Sequence, residues 1–250
     1  MNVFTYWEGP KPEYIDVCLK SMERICCNLP CVDFHLVTPE NVQNYIDSRT
    51  LHSNFLKLDQ IALRADCIRA ALLAKHGGWW WDADTIGICS PVYLMARCKD
   101  ASALYMSWTK PPRRVLNGYI YFAENNPIAC KWLQQINEVL ADKNQSPTWC
   151  SLGEKLLTDL LSTQSDACEI DRRLFLPIDI DSNVADFFNG ADFIGLLDYL
   201  DDYKPICFGL NHSWFMFHKS AEMRLPSSEW KQSPLLIHQL LYHAKTLNEL

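Results

Sequence analysis

The sequence lacks an excess of basic charge, and this absence limits the partners that it can have. It contains 23 Lys and Arg residues against 30 Asp and Glu residues, which gives a formal net charge of −7. Seven aspartates and no Lys, Arg or Glu lie between Asp179 and Asp202, so this acidic segment carries the whole net charge and the remainder balances. We therefore expect no partner that needs a basic face, neither nucleic acid nor an anionic membrane surface.

Long apolar runs and paired metal-binding cysteine motifs are also missing. No stretch approaches the about 18 apolar residues of a membrane span, and residues 1–5 lack the basic start of a signal peptide. The 11 cysteines are odd in number and never form two CxxC pairs, which disfavours a structural zinc site or a disulfide scaffold. We expect a cytoplasmic protein with free thiols and no transmembrane segment.

Glycine is scarce, and the sequence contains no glycine-rich phosphate loop. There are only 9 glycines, about half of the usual share. No Gly-x-x-x-x-Gly-Lys-Ser/Thr motif occurs, which disfavours a P-loop phosphoryl transferase. Two of the few glycines nevertheless stand together at Gly77 and Gly78, where they can end a helix through a left-handed residue.

Runs with strand periodicity alternate with runs of helical periodicity along the chain. The predicted strands cover residues 3–7, 34–37, 79–81, 104–108 and 119–122, and the predicted helices cover residues 12–27, 40–46, 54–75, 127–140 and 153–161. This alternation, with no linker or repeat, favours one α/β domain over residues 1–250 with a mostly parallel sheet.

Three tryptophans and two aspartates directly follow the glycine pair, in the order Trp79, Trp80, Trp81, Asp82, Ala83, Asp84. In an extended chain, Asp82 and Asp84 project to one side at the carboxyl end of a buried strand, where ligands bind in open α/β sheets. Two close carboxylates repel each other unless a cation joins them, so we expect Mn²⁺ or Mg²⁺ between them. The alternative is a pair of loop aspartates that cap the next turn.

The helix before the glycine pair places a charged residue among apolar ones. With Leu58 at zero on a helical wheel, Arg69 falls at about 20°, inside the apolar stripe, and Asp66 at about 80°, at its border. A buried unpaired charge is costly, so Arg69 either pairs with Asp66 three residues earlier or faces a cleft. A purely structural ion pair and a ligand-binding pair both remain open.

These residues resemble the DXD core of nucleotide-sugar glycosyltransferases of the GT-A fold. The resemblance is strongest to the capsular polysaccharide synthesis proteins, to the DXD sugar-binding family that includes yeast initiating mannosyltransferase, and to the glucosyltransferase domain of clostridial toxins. The core match comprises Arg64, Asp66, Arg69, Leu72, Gly77, Gly78, Asp82, Ala83 and Asp84. Further matches are Tyr6, Trp7, Glu8 and Gly9, residues 117–127 and 152–161, and a weaker C-terminal match at Asn211, His212, Ser213 and Trp214.

The resemblance implies a Rossmann-like GT-A domain with a nucleotide-sugar-binding core over about residues 3–125 and an acceptor-side and closing region over about residues 126–250. It also implies roles at matching positions. Trp7, next to Tyr6, would stack on the base, although it could equally be a core residue. Asp66 and Arg69 would hold the donor sugar, with Asn117 nearby. Asp82, Ala83 and Asp84 would contact ribose and metal, and His212, Ser213 and Trp214 would close over metal and diphosphate.

The function implied by the resemblance is transfer of a sugar from a UDP- or GDP-sugar to a hydroxyl of a glycan or another acceptor, with Mn²⁺ or Mg²⁺ and with retention of configuration. Asp66, Arg69 and Asp84 would be the catalytic residues. Metal-dependent phosphoryl or nucleotidyl transfer and a non-catalytic sugar-binding scaffold remain as alternatives. The acidic segment is either a solvated surface or an acceptor-side loop.

Overall fold

Strands and helices alternate in the computed structural model, which describes residues 1–98, 100–109, 111–162, 165–177, 204–210 and 225–249. The strands are β1 (Asn2–Tyr6), β2 (Asp33–Val37), β3 (Gly78–Trp81), β4 (Thr85–Gly87), β5 (Ala103–Ser107), β6 (Val115–Phe122), β7 (Ala167–Glu169) and β8 (Cys207–Gly209). The α-helices are α1 (Glu13–Cys27), α2 (Ile61–His76), α3 (Val92–Arg97), α4 (Pro127–Ala141), α5 (Glu154–Leu161) and α6 (Leu236–Asn248). Within the described ranges, no helix has the length and apolar content that a bilayer crossing requires.

The chain forms two compact units, each built from three separate segments. The first unit comprises Met1–Gly9, Cys31–Trp81 and Met95–Ile170. The second comprises Pro10–Pro30, Asp82–Leu94 and Asp171–Leu250. The acidic segment, residues 179–202, lies outside the described residues.

The first unit is built on a six-stranded sheet with the order β2-β1-β3-β6-β5-β7. β1 pairs in parallel with β2 and β3, and β5 pairs in parallel with β7, whereas β6 runs antiparallel to both of its neighbours. Five of the six strands therefore share one direction, which confirms the predicted α/β class and mostly parallel sheet. Because β2 and β3 flank β1 on opposite sides, the carboxyl ends of β1 and β3 form a topological switch point, where open α/β sheets bind ligands.

One face of this sheet is covered by α2, α4 and α5. Phe4, Trp80 and Ile120 lie in register across β1, β3 and β6, and all three are buried in the core with apolar residues of these helices. Val3, Trp79 and Tyr121 are in register on the opposite face. β3 is thus buried on both faces, as predicted, which is typical of a central strand.

The glycine pair makes the tight connection from α2 to β3. Gly77 and Gly78 have φ angles of 60° and 98°, which L-residues with a side chain rarely adopt. A Cβ on Gly77 would lie 2.6 Å from the Glu124 backbone nitrogen, and one on Gly78 would lie 2.5 Å from the Asn2 carbonyl oxygen. Both positions therefore require glycine, for conformation and for space.

Two predicted helices were wrong in extent. Residues 54–75 do not form one helix, because a 3-10 helix at Ser53–Lys57 is followed by extended backbone at Leu58 and Gln60 before α2 begins. The Asn54 amide donates to the Leu140 carbonyl at 2.8 Å and so fastens the 3-10 helix to α4 instead of α2. Residues 40–46 contain only the 3-10 helix Val42–Asn44.

The second unit contains the two-stranded sheet of β4 and β8, with α1 against β4 and α6 against α1. The Ser21 hydroxyl of α1 accepts from the Gly87 backbone N–H at 2.9 Å. One helical turn earlier in α1, the Val17 carbonyl accepts from the Asn248 amide of α6 at 3.1 Å. These buried or half-buried bonds fix α1 between β4 and α6.

Candidate functional site

An ion pair in the core is the centre of the candidate site in the first unit. The Arg69 Nη1 atom lies 2.6 Å from Asp66 Oδ1, and the two residues are only 4% and 5% exposed. The Arg69 guanidinium carbon lies 4.6 Å from the centre of the Trp80 ring on β3, in a cation–π arrangement. The structure thus pairs the two charges as the helical spacing predicts, and a buried pair of this kind is costly to break.

Asn117 of β6 joins the pair from a second element. Its Nδ2 atom donates to Asp66 Oδ1 at 2.8 Å, so this one carboxylate oxygen accepts from both Asn117 and Arg69. Gly153 packs against the same group, because a Cβ there would lie 1.9 Å from Asn117 Nδ2 and 2.8 Å from Asp66 Oδ2. Four elements therefore meet at one polar cluster, which consists of Asp66, Arg69, Trp80, Asn117 and Gly153 and is called the α2 cluster below.

A second polar group lies at the carboxyl end of β1. Arg64 donates to both oxygens of the Glu8 carboxylate, with Nη2–Oε1 and Nε–Oε2 distances of 2.8 and 3.0 Å, and the Tyr6 hydroxyl donates to Oε2 at 2.8 Å. The hydrogen bond from Arg64 lowers the pKa of Glu8, while burial and the bond to Glu8 raise the pKa of Tyr6. Glu8 is therefore an anion that fastens the segment after β1 to α2.

Trp7 lies between Tyr6 and Glu8 of this group in the sequence. Its backbone N–H donates to the Val37 carbonyl of β2 at 3.0 Å, and its indole N–H donates to the Gly9 carbonyl at 3.2 Å. The ring is half-buried. Trp7 is thus held at the switch point with part of its surface accessible, which is compatible with the stacking role predicted for it.

Asp82, Ala83 and Asp84 lie in the second unit, between β3 and β4. Ala83 and Asp84 form a bend, so the expectation of an extended backbone across the two aspartates is wrong. Asp84 is 8% exposed, and its carbonyl accepts from the Leu210 N–H at 2.9 Å. Burial, together with the negative charge of Asp84, raises the pKa of Tyr14 and of Cys18 on α1.

The chemistry of these side chains suits a hard divalent cation. A nearly buried carboxylate that raises the pKa of its neighbours is a strong local negative charge, and Mg²⁺ or Mn²⁺ binds one or two carboxylates while keeping positions for water and phosphate oxygens. Over the ranges that the structure describes, no group of three or more His, Cys, Asp or Glu side chains is placed to hold a metal ion. Asp82 and Asp84 would then be the protein ligands, and the third predicted ligand, His212, lies outside the described residues.

The structure brings some predicted residues together and leaves others untested. Asp66, Arg69 and Asn117 meet in the α2 cluster, Tyr6 and Trp7 lie at the end of β1, and Asp82, Ala83 and Asp84 belong to the second unit. Ser213 and Trp214 lie outside the described residues with His212. The sequence interpretation gave no role to the Glu8–Arg64 pair or to Gly153. The only sequence signal for Glu8 and Arg64 was their place in the matched motifs.

Comparison with known proteins places the chain in a family. A model of the family described as capsular polysaccharide synthesis protein matches residues 2–147. The chain belongs to the capsular polysaccharide synthesis protein family. Membership confirms the resemblance to the capsular polysaccharide synthesis proteins that the sequence shows.

Solved glycosyltransferase structures share a distant likeness with this family member. GlyE from Streptococcus pneumoniae TIGR4 has 11% sequence identity and a TM-score of 0.45, over 98% of this chain and 63% of that chain. The PaToxG glycosyltransferase has 16% identity and a TM-score of 0.43, over 97% and 86% of the two chains. The galactosyltransferase LgtC has 11% identity and a TM-score of 0.41, over 69% and 74%. The chain thus spans less than two thirds of the length of GlyE, and no curated protein matches the sequence.

Proposed function

We propose that the chain transfers a sugar from a UDP- or GDP-sugar to a hydroxyl of a glycan or another acceptor, with Mn²⁺ or Mg²⁺ and with retention at the anomeric carbon. The observation that carries this proposal is the α2 cluster, in which a buried Asp66–Arg69 pair lies on the helix that leads into the Gly77–Gly78 turn and the two aspartates. Family membership supports the class of reaction, and the retaining outcome follows only the resemblance.

The α2 cluster would orient the donor sugar. Carboxylate, amide and guanidinium groups supply the acceptors and donors that match sugar hydroxyls. Because Asp66 is held by both Arg69 and Asn117, its orientation is set before the ligand binds, and a preorganised group loses little entropy on binding. Trp7, held at the switch point, would stack on the base.

Asp82 and Asp84 would hold the metal ion, Asp84 as a direct ligand and Asp82 through the metal-bound water or the ribose. The bound ion would act as a Lewis acid that neutralises charge on the leaving diphosphate. In the reaction, the bond between the anomeric carbon and the diphosphate oxygen breaks and a bond to the acceptor oxygen forms. The acceptor hydroxyl passes its proton to an oxygen of the leaving diphosphate, and the nucleoside diphosphate leaves with the bonding electrons.

Donor hydrolysis by purified protein with Mn²⁺ and a panel of UDP- and GDP-sugars tests the proposal. Asp84→Asn removes one negative charge with little change of shape, so we expect Mn²⁺ affinity and donor turnover to fall by about a hundredfold or more. Asp47→Asn, at an exposed aspartate paired with Arg49, is the matched control and should behave as wild type.

Two results would count against the proposal. Equal turnover by Asp84→Asn and wild type would show that Asp84 is not a metal ligand. Absence of binding to every nucleotide sugar in the panel would show that the wild-type protein is not a nucleotide-sugar transferase and would favour the scaffold alternative.

A further inference from the structure

A carboxylate with no assigned role lies directly beside the α2 cluster. Glu154 begins α5 and follows Gly153, which has no room for a Cβ between Asn117 and Asp66. The Thr158 hydroxyl donates to the Glu154 carbonyl and accepts from the Val115 N–H at 2.9 Å, so the first turn of α5 is fastened to β6. Glu154 is therefore held at a fixed place next to the proposed donor-sugar residues.

Trp108 pairs with this carboxylate. Its indole N–H donates to Glu154 Oε1 at 3.0 Å, and its backbone N–H donates to the Arg114 carbonyl at 2.9 Å, at the end of the β5–β6 pair that the loop of residues 108–114 connects. Trp108 and Glu154 are both half-buried, in contrast to Asp66 and Arg69, which are buried. The Trp108–Glu154 pair is accordingly more accessible from solvent than the Asp66–Arg69 pair.

A second tryptophan precedes the same segment. Trp149 is 58% exposed and lies in a turn that the Ser151 N–H closes onto the Thr148 carbonyl at 2.9 Å. The carbonyl of the next residue, Cys150, accepts from the Lys155 N–H at 3.1 Å, so this turn is bonded to the first turn of α5. Burial and the charge of Glu154 raise the pKa of the Cys150 thiol. Trp149 is thus held one residue from the bond that joins the turn to the residue after Glu154.

Tryptophan and carboxylate side chains together match the chemistry of a pyranose ring. One face of the ring carries C–H groups that pack on an indole, and its hydroxyls donate to carboxylate oxygens. A carboxylate can accept about four hydrogen bonds, so Glu154 keeps acceptor capacity beyond the bond from Trp108. A transferase also needs the acceptor hydroxyl next to the donor sugar, which is where this group lies.

We propose that Trp108, Trp149 and Glu154 form part of an acceptor subsite that binds a pyranose ring of the hydroxyl acceptor, an inference that rests on the proposed transferase function. The donor sugar is the less suitable occupant, because the α2 cluster is already proposed to orient it. Glu154 and the two tryptophans contact the acceptor ring and leave the donor to the α2 cluster.

Saturation-transfer NMR on the full chain tests the subsite. The probe is a mixture of the methyl glycosides of glucose, galactose, mannose and N-acetylglucosamine, recorded with Mn²⁺ or Mg²⁺ and with UDP or GDP present. We expect wild type to saturate at least one glycoside, and Trp149→Ala and Glu154→Gln to reduce that signal by about fivefold, the loss of one contact of about 1 kcal/mol.

Matched variants separate binding from folding. Leu56→Ala, at a side chain that is 73% exposed, and Glu138→Gln, at an exposed glutamate on α4, should keep the wild-type signal. Trp149→Phe keeps an aromatic ring and should restore most of the signal lost in Trp149→Ala. Wild-type signal in both Trp149→Ala and Glu154→Gln, or no saturation of any glycoside by wild type, would overturn the subsite.

The proposed function is judged separately, from turnover of UDP- and GDP-sugars by wild type. Turnover together with unchanged glycoside signals in the variants would remove the acceptor subsite and keep the transferase. No turnover of any nucleotide sugar would overturn both proposals, because the subsite depends on the transferase function.

Discussion

At the scale of single residues, the two ion pairs of the candidate site differ in their burial. The Asp66–Arg69 pair is almost fully buried, whereas the side chains of Glu8 and Arg64 are 24% and 18% exposed. A buried pair is weak support for stability by itself, because desolvation offsets much of the attraction. The contact of Arg69 with Trp80 and the hydrogen bond from Asn117 to Asp66 therefore contribute to the stability of this cluster beside the ion pair itself.

The Glu8–Arg64 pair predicts a pH dependence of stability. The hydrogen bonds from Arg64 hold the pKa of Glu8 below 4.5 in the folded chain, so the stabilisation is present above the unfolded pKa and is lost as pH falls through the lower folded pKa. We expect Glu8→Gln to lower the free energy of unfolding at neutral pH by about 0.5–1 kcal/mol, as for a partly exposed pair.

Urea denaturation at several pH values checks this prediction. The gap in the free energy of unfolding between wild type and Glu8→Gln should begin to narrow near the ordinary glutamate pKa and close below the lower pKa of Glu8 in the folded chain. Glu23→Gln, at an exposed glutamate of α1, is the control. A gap for Glu8→Gln that stays constant down to acid pH would show that the ionised carboxylate is not what stabilises this segment.

At the scale of elements, the turn between α2 and β3 determines where the central strand begins. Gly9 and Gly78 have similar φ angles, 90° and 98°, but a Cβ on Gly9 meets nothing within 4 Å whereas one on Gly78 meets the Asn2 carbonyl oxygen at 2.5 Å. An alanine at residue 9 would therefore have backbone strain only, whereas an alanine at residue 78 would have backbone strain and a steric overlap with β1.

We predict that Gly78→Ala destabilises the fold far more than Gly9→Ala. Backbone strain alone should cost Gly9→Ala about 1 kcal/mol, and overlap with β1 should bring Gly78→Ala to about 3 kcal/mol or more. Denaturant unfolding of both variants measures the difference. Equal losses would mean that β1 moves away from residue 78 without cost.

Elements with strong local signals could be predicted from the sequence, and those fixed by distant contacts could not. The predicted helix at residues 127–140 agrees with α4 to within one residue, because Asn126 caps the helix and Pro127 begins it. The break before α2 was missed because it depends on Asn54, which bonds to Leu140, far away in the chain.

The candidate site divides in the same way. Asp66 and Arg69 lie one helical turn apart, so spacing alone predicted their contact. Glu8 and Arg64 are separated by 56 positions, and the space around Gly153 is filled by Asn117 and Asp66 from other elements. No periodicity can reveal contacts of this kind.

At the scale of the whole molecule, all 11 cysteines are free thiols, as the sequence analysis expected. Four of them are buried, three are exposed and four are intermediate. The buried ones are Cys18, Cys26, Cys67 and Cys207, and the exposed ones are Cys27, Cys31 and Cys130. Burial raises the pKa of Cys26 to about 12 and that of the other three buried thiols as well.

We predict that the native protein reacts with a chromogenic disulfide reagent in distinct phases. The thiolate is the reacting form, so the three exposed thiols should react first and the four buried ones only on unfolding. Titration near pH 8 with and without denaturant measures both groups. Fewer than 11 thiols after denaturation would reveal a disulfide, and rapid reaction of all 11 in the native state would contradict the buried positions.

The position of β3 also has a consequence for the order in which the sheet is completed during synthesis. β3 pairs with β1, which is made first, and with β6, which is made much later. While the chain emerges from the ribosome, β1 therefore has one open edge until β3 follows, and β3 has one until β6 follows. An open edge of a parallel pair invites association with other chains. Nascent chains that stop before residue 115 should therefore bind chaperones that recognise extended apolar segments. The segment that we expect them to recognise is β3, with its three consecutive tryptophans Trp79, Trp80 and Trp81.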